Sequence, residues 1–403
     1  MSQPSAVSIP LAPPDYPFIG ASSYSIQFAI FYDRILPAAS LSKSLEKVLA
    51  DFYPVSGQLI IEYNRAYVQP QLDPVDLDVT EHSGEIQPST ALPSDLAAFF
   101  LEVKAEPDHP LARFCLHQFR NGSVLVVNMA HCLVDGYSFF YFLSSWAKAC
   151  RGEPYRSPNH DRDKLLNVFK LDVSKNKDAL LETSDFNVTF SQKTGLTIHE
   201  ERQFPDIDAI AWDAFPLSHS SLTALKESCH PRPCSDNAVL CAYLWKQYGQ
   251  LWHPDADPAT ELSLNCAIDF RRIYRKVIPL NYFGNAIKIA TCRLALADLR
   301  HLSLADIAQR LNTMILGQRA GDIEQALANL EAYRETYGMK KMSNLYVSDP
   351  LAGLLVTNLS RIPLEELDFG QGTPISLVPL VPAKRVALLL PSNDGVMVTV
   401  AHP

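Results

Sequence analysis

One run of eighteen residues, VVNMAHCLVDGYSFFYFL at 126–143, limits the possible folds of this chain more than any other segment. It begins as a continuous apolar stretch, which is typical of a buried strand, and it ends with apolar residues at helical spacing. His131 and Asp135 lie between the two, and Gly136 follows directly. Because His and Asp are costly to bury without partners, the junction of two hydrophobic elements is an unusual place for them. The segment therefore predicts a strand, a tight turn with two polar groups, and a helix.

The residues on both sides of the turn support these elements. Asn121 and Gly122 join two strand-like runs, and this dipeptide favours a β-hairpin. After the turn, apolar residues recur at i, i+3, i+4 and i+7 from Phe139, which predicts an amphipathic helix. Ser138 is the predicted N-cap of that helix, and the helix is predicted to end near Gly152.

Length and composition indicate more than one domain. With 403 residues and 47% hydrophobic content, the chain exceeds what one core normally organises. Residues from 151 to about 206 are polar and show little periodicity, as expected for a long connection between two patterned halves. Helix-like and strand-like patterns occur together, which indicates an α/β or α+β class. We expect an N-terminal domain at 1–175, a crossover loop at 176–205 and a C-terminal domain at 206–403.

Charge and cysteine content exclude several kinds of partner. The net charge of −9 argues against a general binder of nucleic acids or anionic membranes. The proline-rich N-terminus lacks the apolar core of a signal peptide, and no apolar stretch approaches the roughly 18 residues of a membrane span. Eight scattered cysteines form no CxxC pair, so no metal site is expected. The sequence predicts a cytoplasmic protein without a nucleic-acid, membrane or metal partner.

His131 and Asp135 allow two interpretations. In the first, His131 is a structural residue whose ring is satisfied at the end of a strand. In the second it is a general base, because a neutral imidazole can take the proton of a hydroxyl or an amine at neutral pH. Asp135 could orient the ring or turn away to pair with an arginine, while Gly136 would leave the backbone open to a substrate. The same spacing recurs at His253 and Asp257, where a loop-like context indicates chance and surface exposure.

No motif for an enzymic nucleophile or for a phosphate-binding loop accompanies this base. The segment GYSFF at 136–140 lacks the second glycine of GxSxG, and GQGTPI at 370–375 lacks the third glycine of a dinucleotide-binding loop. A base without its own nucleophile suits the direct transfer of a group to an acceptor that a substrate brings.

Several segments in a fixed order resemble the BAHD acyltransferases. The segment HCLVDGYSFFYFLSSWAKACRG, which contains His131 and Asp135, and the segment DFGQG at 368–372 resemble the two principal motifs of that family. Further similar segments occur in the family order over most of the chain: FYPVSGQL at 52–59, HDRDKL at 160–165, SDNAVLCAYLWK at 235–246, DFRR at 269–272, NYFGNAI at 281–287, VTNLSRIPLEELDFGQGTP at 356–374 and PSNDG at 391–395. On these segments the chain is identified as a member of the family.

The resemblance implies a fold and an activity. The fold would be α/β with two domains, of the coenzyme-A-dependent, chloramphenicol-acetyltransferase-like type, with mixed sheets, flanking helices and an active-site channel between the domains. The activity would be transfer of an acyl group from a CoA thioester to the hydroxyl or amine of a small, natural-product-like acceptor. Acyl-CoA would be a co-substrate, no cofactor would be bound permanently, and the protein would act as a monomer.

The resemblance also implies roles for individual residues. His131 corresponds to the base that deprotonates the acceptor and, after a tetrahedral intermediate, returns the proton to the departing CoA sulfur. Asp135 corresponds to a structural residue that turns away from the site and forms a salt bridge, here with Arg271. Thr357 lies where the family places a hydroxyl near the oxyanion or the acceptor, and Gly136 completes the HxxxDG motif.

Candidates on the CoA side come partly from the resemblance and partly from residue chemistry. The DFGQG loop is expected to be structural and to shape the CoA side of the channel. The start of a helix at Ser235 could bind the pantetheine arm or a phosphate, although capping explains it equally well. The candidate CoA-contacting residues are Asp368, Gly370, Gly372, Ser235, Asn237, Lys384 and Arg385. Gln371 stands where relatives usually carry tryptophan, which affects packing on the CoA side. Leu359 stands where many relatives carry tryptophan at the acceptor site, so the acceptor need not resemble that of a plant enzyme.

Two alternatives stay open at this point. A condensation-type domain shares the fold and would take its acyl group from a carrier protein, although Ala130 stands where that class has a second histidine. A degenerate member of the fold would bind ligands without transferring an acyl group.

Overall fold

The computed structural model of the protein describes residues 8–20, 25–71, 75–86, 91–166, 207–231, 233–344, 348–349 and 351–403. Within these residues the strands form three sheets. The predicted crossover loop, and both of its predicted boundaries, lie outside the described residues. The division into domains by residue number therefore stays a prediction.

The first sheet contains the strand that leads to His131. In spatial order its strands are β12 (Ser376–Pro379), β2 (Ser25–Tyr32), β7 (Gly122–Ala130), β6 (Ala112–Phe119) and β5 (Leu77–Glu81). The pair β5–β6 is parallel and the other pairs are antiparallel. Every residue of β7 is buried, which agrees with a central strand covered on both faces. The predicted hairpin is confirmed, since β6 and β7 are joined directly at residues 120–121.

Two helices, α1 (Ala38–Asp51) and α2 (Gly136–Cys150), pack against each other beside this sheet. The predicted apolar face of α2 is fully buried: Phe139, Phe142, Leu143 and Trp146. The Trp146 indole N–H donates to the Leu41 carbonyl at 3.1 Å, so this large side chain enters the core without an unsatisfied donor. The predicted helix after the turn is therefore confirmed, and it ends at Cys150, close to the expected Gly152.

The predicted N-cap of α2 is wrong. Asp135 caps the helix, because its Oδ1 accepts a hydrogen bond from the Ser138 backbone N–H at 2.8 Å. The Ser138 hydroxyl instead donates to the Gly284 carbonyl at 2.9 Å. Asp and Ser cap helices about equally well, so the local sequence could not decide between them.

The second sheet has six strands, and its core comes from the second half of the chain. Its spatial order is β10 (Ile287–Ala295), β9 (Glu261–Asp269), β11 (Gly353–Asn358), β13 (Val386–Ser392), β14 (Gly395–Ala401) and β8 (Trp212–Ser218). The pairs of β11 with β9 and β13 are parallel, and the remaining pairs are antiparallel. The helices of this half are α4 (His219–Glu227), α5 (Asp236–Leu251), α6 (Leu296–His301), α7 (Leu304–Leu316) and α8 (Ala320–Tyr337).

A small third sheet and short helices complete the described fold. The sheet consists of β1 (Ile9–Pro10), β4 (Arg65–Pro70) and β3 (Gly57–Glu62). The short α-helix α3 spans Asp163–Leu166, and six 3₁₀ helices span Pro13–Phe18, Tyr53–Ser56, Pro93–Phe99, Ile207–Ala209, Met339–Asn344 and Leu364–Leu367. Among the helices that the described residues build, none combines the length and the apolar character of a bilayer crossing.

The two halves of the chain interlock. Strand β12 comes from the second half but pairs with β2 of the first sheet, with Leu377 opposite Ile30. Asn159, which precedes the predicted crossover loop, forms a β-bridge with Tyr282 of the second half. The mixed sheets with flanking helices confirm the predicted α/β class, and the interlock brings residues that are distant in sequence to the turn at His131.

Candidate active site

The turn at 131–135 connects β7 directly to α2. Strand β7 ends at Ala130 and α2 begins at Gly136. The Leu133 N–H donates to the Ala130 carbonyl at 2.9 Å and closes the turn. His131 therefore lies just past the end of a strand, as the sequence predicts. Its side chain is largely buried, with 8% of its surface exposed.

The His131 imidazole stacks on the Phe18 ring. The two ring centroids are 3.7 Å apart and the planes differ by 9°. Burial lowers the pKa of His131 from 6.5 to about 4, and the nearby Asp135 carboxylate offsets only part of that shift. The ring is consequently neutral at pH 7, which is the protonation state that a general base needs before it accepts a proton.

The C-terminal end of the turn is fixed by a buried ion pair between Asp135 and Arg271. The Arg271 Nη1 lies 2.7 Å from Asp135 Oδ2, and its Nη2 lies 3.1 Å from Oδ1, which is a bidentate contact. Asp135 Oδ2 also accepts the Ala286 N–H at 2.9 Å. Burial acts to raise the pKa of Asp135, but Arg271 and these hydrogen bonds lower it, so the net shift is downward. The pair that the resemblance implied is present, and the carboxylate faces Arg271.

A second buried network holds the N-terminal end of the turn. The Asn285 amide donates to the His131 backbone carbonyl at 2.7 Å, and the Arg162 guanidinium donates to the Leu133 carbonyl at 2.9 Å. Asp15 joins the two, because its carboxylate accepts from Asn285 Nδ2 at 2.8 Å and from Arg162 Nε at 3.0 Å. All three of these side chains are buried. Sequence reasoning missed this network, although HDRDKL and NYFGNAI, which contain Arg162 and Asn285, were among the family-like segments.

Gly136 leaves space for a side chain from the second half of the chain. A Cβ added to Gly136 would lie 2.9 Å from Leu359 Cδ2, so Leu359 packs directly on the backbone at the start of α2. Leu359 thus occupies the space beside Gly136, and the role of Gly136 toward a substrate stays a prediction. Thr357, on β11, is half-buried and lies two residues before Leu359. The end of β11 thus meets the start of α2, and the role of Thr357 stays a prediction.

Ser235 and Asn237 have structural partners at the start of α5. The Ser235 hydroxyl accepts the Ala238 N–H at 3.3 Å and caps the helix. Asn237 Oδ1 accepts from Asn358 Nδ2 at 2.8 Å, which links α5 to the residue after Thr357. Capping, the alternative kept open for these residues, accounts for Ser235. Asn237 helps to fix the end of β11.

The DFGQG loop lies at the opposite end of α2 from His131. Asp368 Oδ1 accepts the backbone N–H groups of Gly370, Gln371 and Gly372 at 2.7, 3.0 and 2.9 Å. The backbone of the loop is tied to the end of α2, since Arg151 donates to the Asp368 carbonyl. At 1.5 Å per residue, α2 separates this loop from Asp135 by about 22 Å. The contacts of Asp368, Gly370 and Gly372 are those of a structural loop, and they do not place these residues beside His131.

Lys384 and Arg385 lie before β13 and differ in their surroundings. Lys384 is exposed. The Arg385 guanidinium lies over the Trp252 ring at 5.2 Å, and its Nη1 is 3.2 Å from His253 Nε2. Arg385 is thus used to pack the loop that carries the second HxxxD spacing. Neither residue has a contact with the turn at His131 among those that the structure shows.

A family model describes nearly the whole chain. The model is that of the Transferase family, and it matches residues 30–403. Hydroxycinnamoyltransferase 2 of Oryza sativa subsp. japonica is 30% identical over 294 residues, which cover 71% of this chain but only 64% of that protein. Anthranilate N-benzoyltransferase protein 1 of Dianthus caryophyllus is 24% identical over 387 residues, which cover 90% of this chain and 83% of that protein.

Solved structures share the fold. F. graminearum TRI101, in its crystal structure with coenzyme A and T-2 mycotoxin, matches with a TM-score of 0.72 at 17% identity. The match covers 98% of this chain and 95% of that chain. The predicted two-domain, chloramphenicol-acetyltransferase-like fold is therefore confirmed.

Proposed function

The chain belongs to the Transferase family of BAHD acyltransferases and is an acyl-CoA-dependent acyltransferase, and we propose that it uses His131 as its general base. The acceptor would be a small molecule with a hydroxyl or an amine. The observation that carries the proposal is the neutral, buried imidazole at the end of β7, held by a network at each end of its turn.

In the proposed reaction, His131 takes the proton of the acceptor's hydroxyl or amine as that group attacks the thioester carbonyl. The attack gives a tetrahedral intermediate with a negatively charged oxygen, and Thr357 is proposed to donate a hydrogen bond to that oxygen or to the acceptor. When the carbon–sulfur bond breaks, protonated His131 returns the proton to the CoA sulfur. Asp135 does not face this step, because Arg271 and two backbone N–H groups occupy its carboxylate.

We also propose that one chain holds a complete site and acts as a monomer in the cytoplasm, with acyl-CoA as co-substrate and no permanently bound cofactor. The support is that His131, Arg271 and Thr357 all come from the same chain. The eight cysteines are free thiols in the structure, which suits a reducing compartment.

The test is a transfer assay with purified protein, a panel of acyl-CoAs and a panel of alcohols and amines, read by release of free CoA thiol and by product mass. Wild-type protein should release CoA in the presence of an acceptor. His131→Ala should lose about 10²- to 10⁴-fold in rate, which is the usual contribution of a general base. His253→Ala, in the second copy of the same spacing, is the matched control and should keep the wild-type rate.

The outcomes separate the alternatives. Transfer from an acyl-carrier protein but not from acyl-CoA would indicate a condensation-type reaction. Binding of acyl-CoA without turnover on any acceptor would indicate a degenerate protein. Turnover that survives His131→Ala would contradict the proposed base.

A further inference from the structure

Phe18 is the last residue of the 3₁₀ helix Pro13–Phe18, and its ring touches the proposed base directly. The phenyl ring and the His131 imidazole are nearly parallel, since their planes differ by 9° and their centroids are 3.7 Å apart. Carbon atoms in van der Waals contact lie about 3.5–4.0 Å apart, so the two ring faces are in contact. Sequence reasoning did not single out this residue.

The conformational preferences of histidine leave the plane of its own ring poorly defined. The torsion that turns the imidazole joins a tetrahedral carbon to a planar ring, and such torsions have broad minima. The nitrogens that accept or release a proton lie at the edge of the ring, in its plane. The direction in which His131 accepts a proton is therefore set by the contacts around the imidazole.

The stacked Phe18 ring is a contact of this kind. Because the two rings are parallel, Phe18 covers a face of the imidazole, whereas proton transfer takes place at the edge. Rotation of the imidazole out of its present plane would drive its edge atoms into the phenyl ring. The stack thus restricts rotation of the His131 ring without occupying the direction of proton transfer.

Phe18 is itself held firmly. On one side, Asp15 accepts the Ala12 N–H at 2.8 Å and belongs to the buried network that holds the turn. On the other side, the Gly20 N–H donates to the Ala105 carbonyl at 2.8 Å. Three of the six residues of the 3₁₀ helix are prolines, whose fixed φ limits backbone motion. The buried Phe18 ring is therefore a rigid support for the imidazole.

We propose that Phe18 is a positioning residue, whose ring fixes the plane of the His131 imidazole and keeps water from one face of it. For its consequence in catalysis the proposal rests on the proposed role of His131 as the base, but the contact itself does not depend on turnover. Burial lowers the pKa of His131 to about 4, and the Phe18 ring is part of what buries it. Loss of the ring should therefore change both the orientation and the titration of the imidazole.

Substitution of Phe18 leaves the charges around His131 unchanged. The charged and titratable groups around the turn are Asp135, Arg271, Asp15, Arg162, Cys132 and Tyr282. Each carboxylate is paired with an arginine. Burial raises the pKa of the thiol and that of the phenol, so both groups stay neutral. A changed titration of His131 in a Phe18 variant would thus report the loss of the ring.

Two variants separate orientation from burial. Phe18→Leu keeps most of the apolar bulk and removes the flat face, whereas Phe18→Ala also opens the site to water. The probe is the nuclear magnetic resonance signal of histidine labelled with ¹³C at Cε1. Among the signals of the 11 histidines, that of His131 is the one missing from His131→Gln. In wild type it should carry an upfield ring-current shift from Phe18 and should not titrate between pH 8 and about 5.

Phe18→Leu should lose the upfield shift, and its His131 signal should still not titrate above about pH 5. Phe18→Ala should lose the shift too, and the midpoint of the His131 titration should rise from about 4 toward 6.5, because water then solvates the charged ring. An unchanged His131 chemical shift in both variants would overturn the proposal. So would the absence of titration above pH 5 in Phe18→Ala.

Phe114→Leu is the matched control for the loss of a buried phenylalanine. Phe114 is as fully buried as Phe18 and packs on Phe142 of α2, with ring centroids 5.7 Å apart. The control should lower the urea midpoint about as much as Phe18→Leu does. It should leave the His131 signal and its titration as in wild type, which separates a general loss of stability from the loss of the stack.

Kinetics measure the consequence for transfer. Phe18→Leu should lower kcat about ten- to a hundredfold and leave both KM values within about twofold of wild type, because a base displaced by about 1 Å transfers protons poorly. Phe114→Leu should keep the wild-type kcat. In Phe18→Ala, kcat/KM should also fall below about pH 6, where the exposed imidazole becomes protonated. A wild-type kcat in folded Phe18→Leu would refute the positioning role.

Failure of this proposal can be told from failure of the proposed function. A ring-current shift and a titration that both depend on Phe18, in a protein without transferase activity, would leave the stack and remove the reaction. Transfer that depends on His131, with no effect of Phe18→Leu on the signal or on kcat, would leave the reaction and remove the role of Phe18.

Discussion

Removal of the Asp135 carboxylate should damage folding much more than proton transfer. This carboxylate forms the bidentate ion pair with Arg271, caps α2 through the Ser138 N–H and accepts the Ala286 N–H. Asp135→Asn removes the charge and keeps a capping side chain, whereas Asp135→Ala removes all of these contacts. The two variants together separate the ion pair from the hydrogen bonds.

The expected cost follows from the contacts. Loss of one partner of a buried ion pair costs about 3–5 kcal/mol, because the other charge stays buried. Arg271 retains the Ser138 hydroxyl, the Gly284 carbonyl and Asp269 as acceptors, so Asp135→Asn should fall near 3 kcal/mol. Asp135→Ala also loses the cap, at about 1 kcal/mol, and leaves the buried Ala286 N–H without its acceptor. We expect about 5 kcal/mol for Asp135→Ala, which approaches the whole stability of many proteins.

The assay is urea unfolding followed by circular dichroism, with transfer rates measured on the same preparations well below the melting temperature. Asp257→Ala, at the equivalent position of the second HxxxD spacing, is the matched control. Its side chain is exposed and accepts one local N–H, so its free energy of unfolding should fall by less than about 1 kcal/mol.

Transfer activity distinguishes a structural role of Asp135 from a role in the chemical step. Folded Asp135→Asn should lose roughly tenfold in rate through a less well-placed turn, far less than the loss expected for His131→Ala. If Asp135→Asn or Asp135→Ala kept the wild-type urea midpoint and lost activity to the level of His131→Ala, Asp135 would act in the chemical step. The structural account of the pair would then be wrong.

Four further predictions test the site. Because burial lowers the pKa of His131 to about 4, the base stays deprotonated and kcat/KM should be flat from pH 8 down to about 5.5; a limb centred at 6.5 would contradict this. The same pKa shift should reduce the free energy of unfolding as pH falls from 6.5 to 4, because the unfolded chain binds the proton first. Urea midpoints of wild type and His131→Gln, measured across this pH range, check this. If both proteins lost the same stability at acid pH, His131 would be excluded as the source of the loss. Gly136→Ala should cost about 1–3 kcal/mol through its clash with Leu359, and Leu359→Ala should relieve that cost in a double-mutant cycle, whereas additive losses would deny the contact. Gly370→Ala should lower the melting temperature, because φ is +93° there, and should leave KM for acyl-CoA unchanged. A raised KM would indicate that the loop contacts acyl-CoA after all.

Local patterns of the sequence predicted the local structure of the site. The apolar run, the hairpin and the helical repeat give β6, β7 and α2 because each depends on residues that are near in sequence. Where two neighbouring residues had the same local preference, the pattern did not decide, as with Ser138 and Asp135 at the helix cap.

The contacts around the turn could not be predicted in this way. Asp15 and Asn285 are 270 residues apart, and no periodicity links them. The contact between Gly136 and Leu359 could not be predicted either, because Leu359 can be placed there only when the pairing of β11 in the second sheet is known. The Arg271 pair was found through the family resemblance, which supplies three-dimensional information that one sequence lacks.

The position of His131, the proposed base, depends on both halves of the chain. One network joins the turn to Asp15 and Asn285, and the other joins it to Arg271, so residues from before β2 and from between β9 and β10 hold the same five-residue turn. Leu359, at the end of β11, packs against the helix that follows. If His131 is the base, as proposed, a ring displaced by about 1 Å would transfer protons poorly, so loss of docking between the halves should abolish activity before either sheet unfolds. The geometry of this single imidazole is therefore a property of the whole interlocked fold, although the local sequence alone places it at the end of a strand.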